Sequence, residues 1–121
     1  MSGTPRNDSL GAYGERVAAR RLAEDGMEVL ERNWRCDLGE IDLVLRDGDV
    51  LVVCEVKTRS SAAYGHPLEA VDRRKCARLR RLAARWLAEH EVHVSGVRID
   101  LVGVLLEGPG RPRLAHLKGV G

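Results

Sequence analysis

Residues 40–57 read EIDLVLRDGDVLVVCEVK. Two runs rich in Val, Leu and Ile flank the pair Asp47-Gly48, which is a strong signal for a β-hairpin turn. The two runs predict antiparallel strands over residues 40–46 and 50–58.

The turn also predicts which charged side chains share a face, because side chains alternate between the two faces of a strand. With Asp47 and Gly48 at the tip, the predicted register pairs Arg46 with Asp49, Val44 with Leu51, Asp42 with Val53 and Glu40 with Glu55. Asp42 then lies diagonal to Glu55, within reach of a common ion, and Lys57 lies on the same face. The hairpin therefore predicts one charged cluster, made of Glu40, Asp42, Glu55 and Lys57.

Both faces of the predicted hairpin carry apolar side chains. One face has Ile41, Leu43, Leu45, Val50, Val52, Cys54 and Val56, and the charged face also has Val44, Leu51 and Val53. Strands that are apolar on both faces are covered on both sides. Three carboxylates crowded at the end of such a hairpin are costly unless a cation is present. The alternative interpretation is an ordinary ion pair on a solvated face of the sheet.

The residue types in the cluster favour one kind of chemistry. Oxygen ligands without Cys or His suit Mg²⁺ or Mn²⁺. An adjacent lysine can orient or deprotonate a water molecule, or hold a phosphate oxygen. A divalent metal, carboxylates and a lysine are the minimum set for metal-assisted hydrolysis of phosphodiester bonds.

Two resemblances rest on these residues. Asp42, a gap of twelve residues and then Glu55-Val56-Lys57 resemble the PD-(D/E)XK signature of restriction-endonuclease-like nucleases, with Ile41 where the signature has Pro. Over residues 10–104 the chain is similar to the YraN family of small bacterial proteins. The motifs that carry this similarity are Gly14-Glu15, Arg32-Asn33-Trp34, Gly39-Glu40-Ile41-Asp42-Leu43-Val44, Glu55-Val56-Lys57-Thr58-Arg59, Gly65, Lys75 and Arg98-Ile99-Asp100.

The resemblance implies an α/β fold with a restriction-endonuclease-like αβββαβ core, in which helices flank a mixed central sheet. The archaeal Holliday-junction resolvases have a similar fold. By the same resemblance, Asp42, Glu55 and the carbonyl of Val56 are metal ligands, and Lys57 serves the attacking water. Glu15 matches an acidic residue of the first helix that completes many such sites.

The rest of the chain fits one domain over residues 1–121, with flexible tails at about 1–7 and 118–121. Asp8 or Ser9 can cap a first helix that runs to about Asp25, and Gly26 can end it. A second helix is predicted from a cap at Asp72 to His90. The remaining strands are predicted over residues 27–33, 97–105 and 114–117.

The second helix carries a stripe of arginines, and other basic or polar residues lie near the predicted cluster. Phosphate binding and simple solvation both explain the arginine stripe, which has no acidic partner nearby in the sequence. For Lys75 a snorkelling side chain is the favoured interpretation, with a phosphate contact as the alternative. Thr58 and Arg59 can grip a nucleic-acid backbone, and the loop over residues 64–67 can gate a substrate. The stripe consists of Arg74, Arg78, Arg81 and Arg85.

Composition excludes several classes of protein. Four aromatic residues and no Phe argue against an aromatic platform for single strands. Three cysteines without C-x-x-C spacing argue against a disulfide framework and a zinc site. No segment could span a membrane, and residues 1–7 lack a signal-peptide core, so we expect a cytoplasmic protein.

Asp100 is predicted to form a structural ion pair with Arg98, and Trp34 and Trp86 are predicted to be core residues.

The sequence therefore predicts a Mg²⁺- or Mn²⁺-dependent nuclease that acts on DNA, including branched or structured DNA. Asp42 and Glu55 are expected to bind the metal jointly, with Glu15 and Glu40 assisting at its edge. A homodimer is compatible with cutting both strands of a duplex. The alternatives are a nucleic-acid-binding module without activity and a protein-interaction module, since a fold does not guarantee its chemistry.

Overall fold

A computed structural model describes residues 9–60, 72–106, 108 and 110–120. The elements follow in the order α1 (Leu10–Glu24), β1 (Glu28–Cys36), β2 (Gly39–Asp47), β3 (Val50–Arg59), α2 (Arg73–Glu89), β4 (Gly96–Leu105) and β5 (Arg113–Leu117). This order confirms the predicted αβββαβ core, which a fifth strand follows. Among the described residues, no helix has the length and apolar character needed to cross a membrane.

The predicted caps start both helices. The Ser9 hydroxyl accepts a hydrogen bond from the Ala12 amide at 3.0 Å, and the Asp72 carboxylate accepts one from the Lys75 amide at 2.9 Å. Gly26, just beyond α1, has a φ of 104°, in the region that favours glycine. The two caps fix where each helix begins.

The five strands form one mixed sheet in the order β1-β2-β3-β4-β5. Neighbouring strands are antiparallel, except that β3 and β4 run parallel. A parallel pair needs a crossover connection, which here contains α2. At the end of the chain, the Gly119 amide binds the carboxylate of Asp100 and the Val120 amide binds the carbonyl of Ile99.

Helices cover both faces of the sheet, as the apolar pattern of the hairpin predicts. On the α1 face a core forms around Ala18, Ala19, Leu22, Met27, Leu43, Leu45, Val52, Cys54, Val56, Val102 and Val104. On the α2 face a second core forms around Trp34, Ile41, Val44, Leu51, Val53, Cys76, Leu79, Leu82, Ala83, Trp86 and Ile99. The assignment of Ile41 to the same face as Leu43 is wrong, because Ile41 pairs with Trp34 and joins the α2 core.

The hairpin register differs by two residues from the predicted one. Gly48 and Asp49 form the tip, Asp47 pairs with Val50, and the pairing continues to Leu43 and Cys54. The physical reason is that Gly48 has a φ of 64°, which suits the first position of a two-residue turn. A shift of two residues keeps each side chain on its face. Extended by one pair, the observed register places Asp42 opposite Glu55, whereas the prediction placed them on a diagonal.

Candidate metal centre and its basic surroundings

Asp42 is a buried carboxylate, with 9% of its surface exposed, near the start of β2. Its Oδ2 atom accepts a hydrogen bond of 2.8 Å from the backbone amide of Val56. This bond holds the Asp42 side chain against β3 at the residue that follows Glu55. The hairpin therefore holds the Asp42 carboxylate beside the residues that the motif singles out.

Glu55 is a half-buried carboxylate on β3 that two lysines approach from different elements. Its Oε2 atom lies 2.7 Å from Nζ of Lys75 on α2 and 3.7 Å from Nζ of Lys57 on its own strand. Lys75 thus forms the closer ion pair, and it belongs to the cluster. The sequence favours a snorkelling side chain for Lys75 because it does not show that the first turn of α2 lies over β3.

A cavity of about 270 Å³ opens beside these carboxylates. It is lined by Gly39, Glu40, Asp42, Glu55, Lys75, Arg78 and Leu79. The lining combines three carboxylates with two cations, one of which, Arg78, belongs to the arginine stripe. The cavity therefore joins the predicted cluster to the stripe, a link that the sequence pattern could not reveal.

The electrostatics of the cluster reflect burial and crowded like charges. Burial raises the pKa of Asp42 to about 7, and the charges of Glu55, Glu15 and Glu40 add to the rise against the hydrogen bond from Val56. Burial and the neighbouring Lys75 lower the pKa of Lys57. Burial also acts to lower the pKa of Lys75, but the hydrogen bond and charge of Glu55 outweigh it and raise that pKa.

The two outer acids of the prediction occupy different environments. Glu15 on α1 is 6% exposed, and its negative charge contributes to the raised pKa of Asp42. Its neighbour Gly14 lets α1 approach β3, because a Cβ atom on Gly14 would lie 1.8 Å from Oγ1 of Thr58. Glu40 is exposed and lies 3.3 Å from Nε of Arg35.

The donor atoms of the cluster fit a hard divalent cation. Asp42 and Glu55 supply carboxylate oxygens, and the backbone of Val56 supplies a carbonyl oxygen. Across the described part of the chain, no three His, Cys, Asp or Glu side chains form a metal-binding group. A pair of carboxylates is nevertheless a common donor set for Mg²⁺, which keeps several water molecules and shares substrate phosphates. The residues present therefore fit the expected ion.

The two residues at the end of β3, Thr58 and Arg59, lie in different environments. The Thr58 hydroxyl is buried, next to Gly14, and has no hydrogen-bond partner within the described residues. Arg59 is half-buried and its Nη1 donates a 3.2 Å hydrogen bond to the carbonyl of Thr58. The gating loop predicted over residues 64–67 lies outside the described residues.

The arginine stripe of α2 is only partly free of acidic partners. Arg74, Arg78 and Arg81 are exposed. Arg85 instead lies 2.7 Å from Glu89 and also pairs with Asp37, which precedes β2. The statement that the stripe lacks acidic partners is therefore wrong for Arg85. Glu89 lies one helical turn away and was visible in the sequence, whereas Asp37 comes close only through the fold.

The residues predicted to be structural are placed as expected. The buried carboxylate of Asp100 binds Nε of Arg98 at 2.8 Å and Nε2 of His116 at 2.8 Å. Trp34 and Trp86 are 9% and 2% exposed, and the indole N–H of Trp86 donates to Glu31. The two tryptophans belong to the second core, Arg98 and Asp100 lie in the first half of β4, and none of the four lines the carboxylate cavity.

Comparisons with known proteins identify the family of this chain. The chain matches the model of the uncharacterised protein family UPF0102 over residues 14–104. It is 66% identical to a UPF0102 protein of Beutenbergia cavernae over 94% of this chain and 97% of the relative. It is 60% identical to one of Streptomyces coelicolor over 93% and 88%, and 55% identical to one of an Arthrobacter species over 94% and 97%. On these matches, the chain belongs to the UPF0102 family.

Proposed function

We propose that this protein is a Mg²⁺- or Mn²⁺-dependent nuclease of the PD-(D/E)XK type that hydrolyses phosphodiester bonds in DNA, including branched or structured DNA. One observation carries the proposal. Asp42 and Glu55, from adjacent strands, line a single cavity with Lys75, and Lys57 lies 3.7 Å from Glu55. Carboxylates for a cation beside ammonium groups for a phosphate are what this chemistry requires.

The chain's own residues would have two roles in the cavity, metal binding and phosphate binding. Asp42, Glu55 and the carbonyl of Val56 would hold the metal ion. A bound divalent ion supplies Lewis acidity at the phosphate and lowers the pKa of a water molecule. Lys75 and Arg78 line the same cavity and can bind the phosphate oxygens of the strand to be cut. Lys57, on the strand of Glu55, would orient the attacking water.

A cleavage assay tests the proposal. The purified chain is incubated with Mg²⁺ or Mn²⁺ and a panel of duplex, flap, junction and single-stranded DNA. We expect at least one member to be cut, and we expect Asp42→Ala and Lys57→Ala each to abolish the cutting. Asp49→Ala is the matched control, since Asp49 is an exposed acid at the opposite end of the same hairpin. Cleavage that survives both substitutions in the cluster would refute the assignment.

A second candidate function is a nucleic-acid-binding module without activity. The exposed arginines Arg74, Arg78 and Arg81 favour it, because a row of cations on one helix suits a phosphate backbone. This candidate predicts DNA binding that weakens with salt, is lost when these arginines are replaced by glutamate, and is indifferent to metal. Binding without cleavage on the whole panel would select it over the nuclease.

A further inference from the structure

A second groove, separate from the carboxylate cavity, lies between α1 and the segment that leads into β5. Its volume is about 510 Å³. Its lining consists of Tyr13, Arg16, Val17, Arg20, Arg21, Glu24, Arg111, Pro112 and Leu114. We call it the α1 groove. None of these residues was assigned a role by the sequence patterns, and none lines the carboxylate cavity.

The α1 groove is strongly basic although the chain as a whole is nearly neutral. Four arginines and one glutamate line it, whereas the formal net charge of the whole chain is only +2. Arg16 and Arg20 are one helical turn apart, a spacing at which like charges destabilise a helix. Within the described residues, Arg20 and Arg111 form no salt bridge, and Arg21 lies 3.7 Å from Asp25 with both side chains half exposed. The charges of Arg20 and Arg111 are therefore available to a ligand.

The apolar part of the lining gives the groove a firm floor. Val17 and Leu114 are partly buried and pack against the core of the α1 face. Tyr13 is 42% exposed, and the guanidinium of Arg16 lies 5.6 Å from the centre of its ring. A basic rim above an apolar floor suits a ligand whose charged groups alternate with uncharged ones.

We propose that the α1 groove binds the phosphate backbone of a nucleic acid, as a surface separate from the carboxylate cavity and the arginine stripe. A sugar–phosphate chain alternates anionic phosphates with less polar sugars, which matches the rim and the floor. Arginine is also the residue that grips phosphate oxygens in a bidentate way. The inference rests on the proposed function for the class of ligand only. The residues of the α1 groove differ from those of the carboxylate cavity, and the groove lies on α1, which covers the face of the sheet opposite α2.

Binding measured without metal tests the α1 groove independently of any cleavage. A short fluorescent duplex DNA is titrated with the chain in EDTA, over salt concentrations from about 50 to about 200 mM. Because each lost phosphate contact removes about one counterion, Arg20→Gln and Arg111→Gln should each lower the salt slope by about 1 and weaken binding roughly fivefold near 0.15 M salt. The double variant should combine the two losses. Both residues are exposed, so thermal melts of these variants should match that of the wild type.

Arg32→Gln is the matched control. Arg32 is an exposed arginine on β1, at the sheet edge opposite β5, and it lies outside both cavities. We expect this variant to keep the salt slope of the wild type. Equal salt slopes for Arg20→Gln, Arg111→Gln and Arg32→Gln would overturn the proposal, as would a wild type that binds polyglutamate but no DNA. Groove-dependent binding without any cleavage would instead count against the proposed nuclease activity alone.

Discussion

The backbone amide of Val56 binds a side-chain oxygen of Asp42 at 2.8 Å, at the point where the pairing of β2 with β3 ends. The last paired residues are Leu43 and Cys54, so the carboxylate continues the contact between the strands beyond them. Within the described residues only Oδ2 of Asp42 is hydrogen-bonded. The proposed cation would therefore bind Asp42 through the other oxygen, Oδ1.

Replacing Asp42 should change both the stability of the protein and its response to metal. Asp42→Asn keeps an acceptor for the Val56 amide and removes a buried charge beside Glu55, so without metal the variant should be more stable by roughly 1 to 3 kcal/mol. Wild type should gain about 2.7 kcal/mol when Mn²⁺ is at a hundredfold excess over its Kd, and Asp42→Asn should gain little. Thermal melts with and without Mn²⁺ measure both effects. Equal responses of the two proteins to Mn²⁺ would mean that this carboxylate binds no metal.

Gly14 should tolerate no larger residue, because α1 lies so close to β3 there. A Cβ atom would meet Oγ1 of Thr58 at 1.8 Å, so Gly14→Ala should cost roughly 1 to 3 kcal/mol despite the better helix propensity of alanine. Gly11→Ala, in the same helix, has its nearest atom at 3.9 Å and should be neutral or stabilising. Urea denaturation measures both variants. A stable Gly14→Ala protein would show that α1 does not pack as described.

The network around Asp100 should make stability depend on pH. Burial acts to raise the pKa of Asp100, but Arg98, the Gly119 amide and His116 outweigh it and hold that pKa below its usual value. A lowered folded-state pKa means that the stabilisation is present above the unfolded pKa of about 3.9 and is lost as pH falls through the folded value. Asp100→Asn should therefore cost about 2 to 4 kcal/mol at pH 7, and less as the pH falls below about 4.

Urea denaturation at several pH values checks this expectation. Asp49→Asn is a suitable control, since Asp49 is an exposed acid at the hairpin tip whose side chain forms no ion pair within the described residues. A cost of Asp100→Asn that stays constant between neutral and acidic pH would contradict the ionic role of Asp100.

The stability of the protein should depend on the hydrogen bond between the indole of Trp86 and the side chain of Glu31. The N–H of this buried ring donates to Oε1 of Glu31 at 2.8 Å. Glu31→Ala leaves a buried donor without that partner and should cost about 1 to 2 kcal/mol, whereas Glu31→Gln keeps an acceptor oxygen and should cost less. Chemical denaturation of the two variants gives the comparison. Equal losses would indicate that the hydrogen bond contributes little.

The sequence predicted the elements well because apolar periodicity and caps are local signals. It missed the end of β1, which was predicted to stop at Asn33 and in fact runs to Cys36. Asn33 has a φ of 55°, which is a local distortion of the strand, and only the pairing with β2 shows that the strand continues beyond it.

The sequence also located the carboxylate pair, although the predicted hairpin register was wrong. A two-residue error preserves faces, so Asp42 and Glu55 stay together in either register. The role of Lys75 and the acidic partner Asp37 of Arg85 depend on how α2 crosses the sheet. The α1 groove depends on how the segment before β5 meets α1. Such contacts between distant segments have no periodic signature in the sequence.

The parallel pairing of β3 with β4 has a consequence for synthesis on the ribosome. The β2–β3 hairpin consists of contiguous residues and can form in about 1 to 10 μs, yet at about 5 to 20 residues per second its partner β4 is translated seconds later. During that interval, the edge of β3 that later pairs with β4 is open in a strand whose two faces are apolar. An open apolar edge is a template for pairing with other chains. Nascent or truncated chains that end before Gly96 should therefore aggregate, and the arrival of β4 ends this vulnerable period.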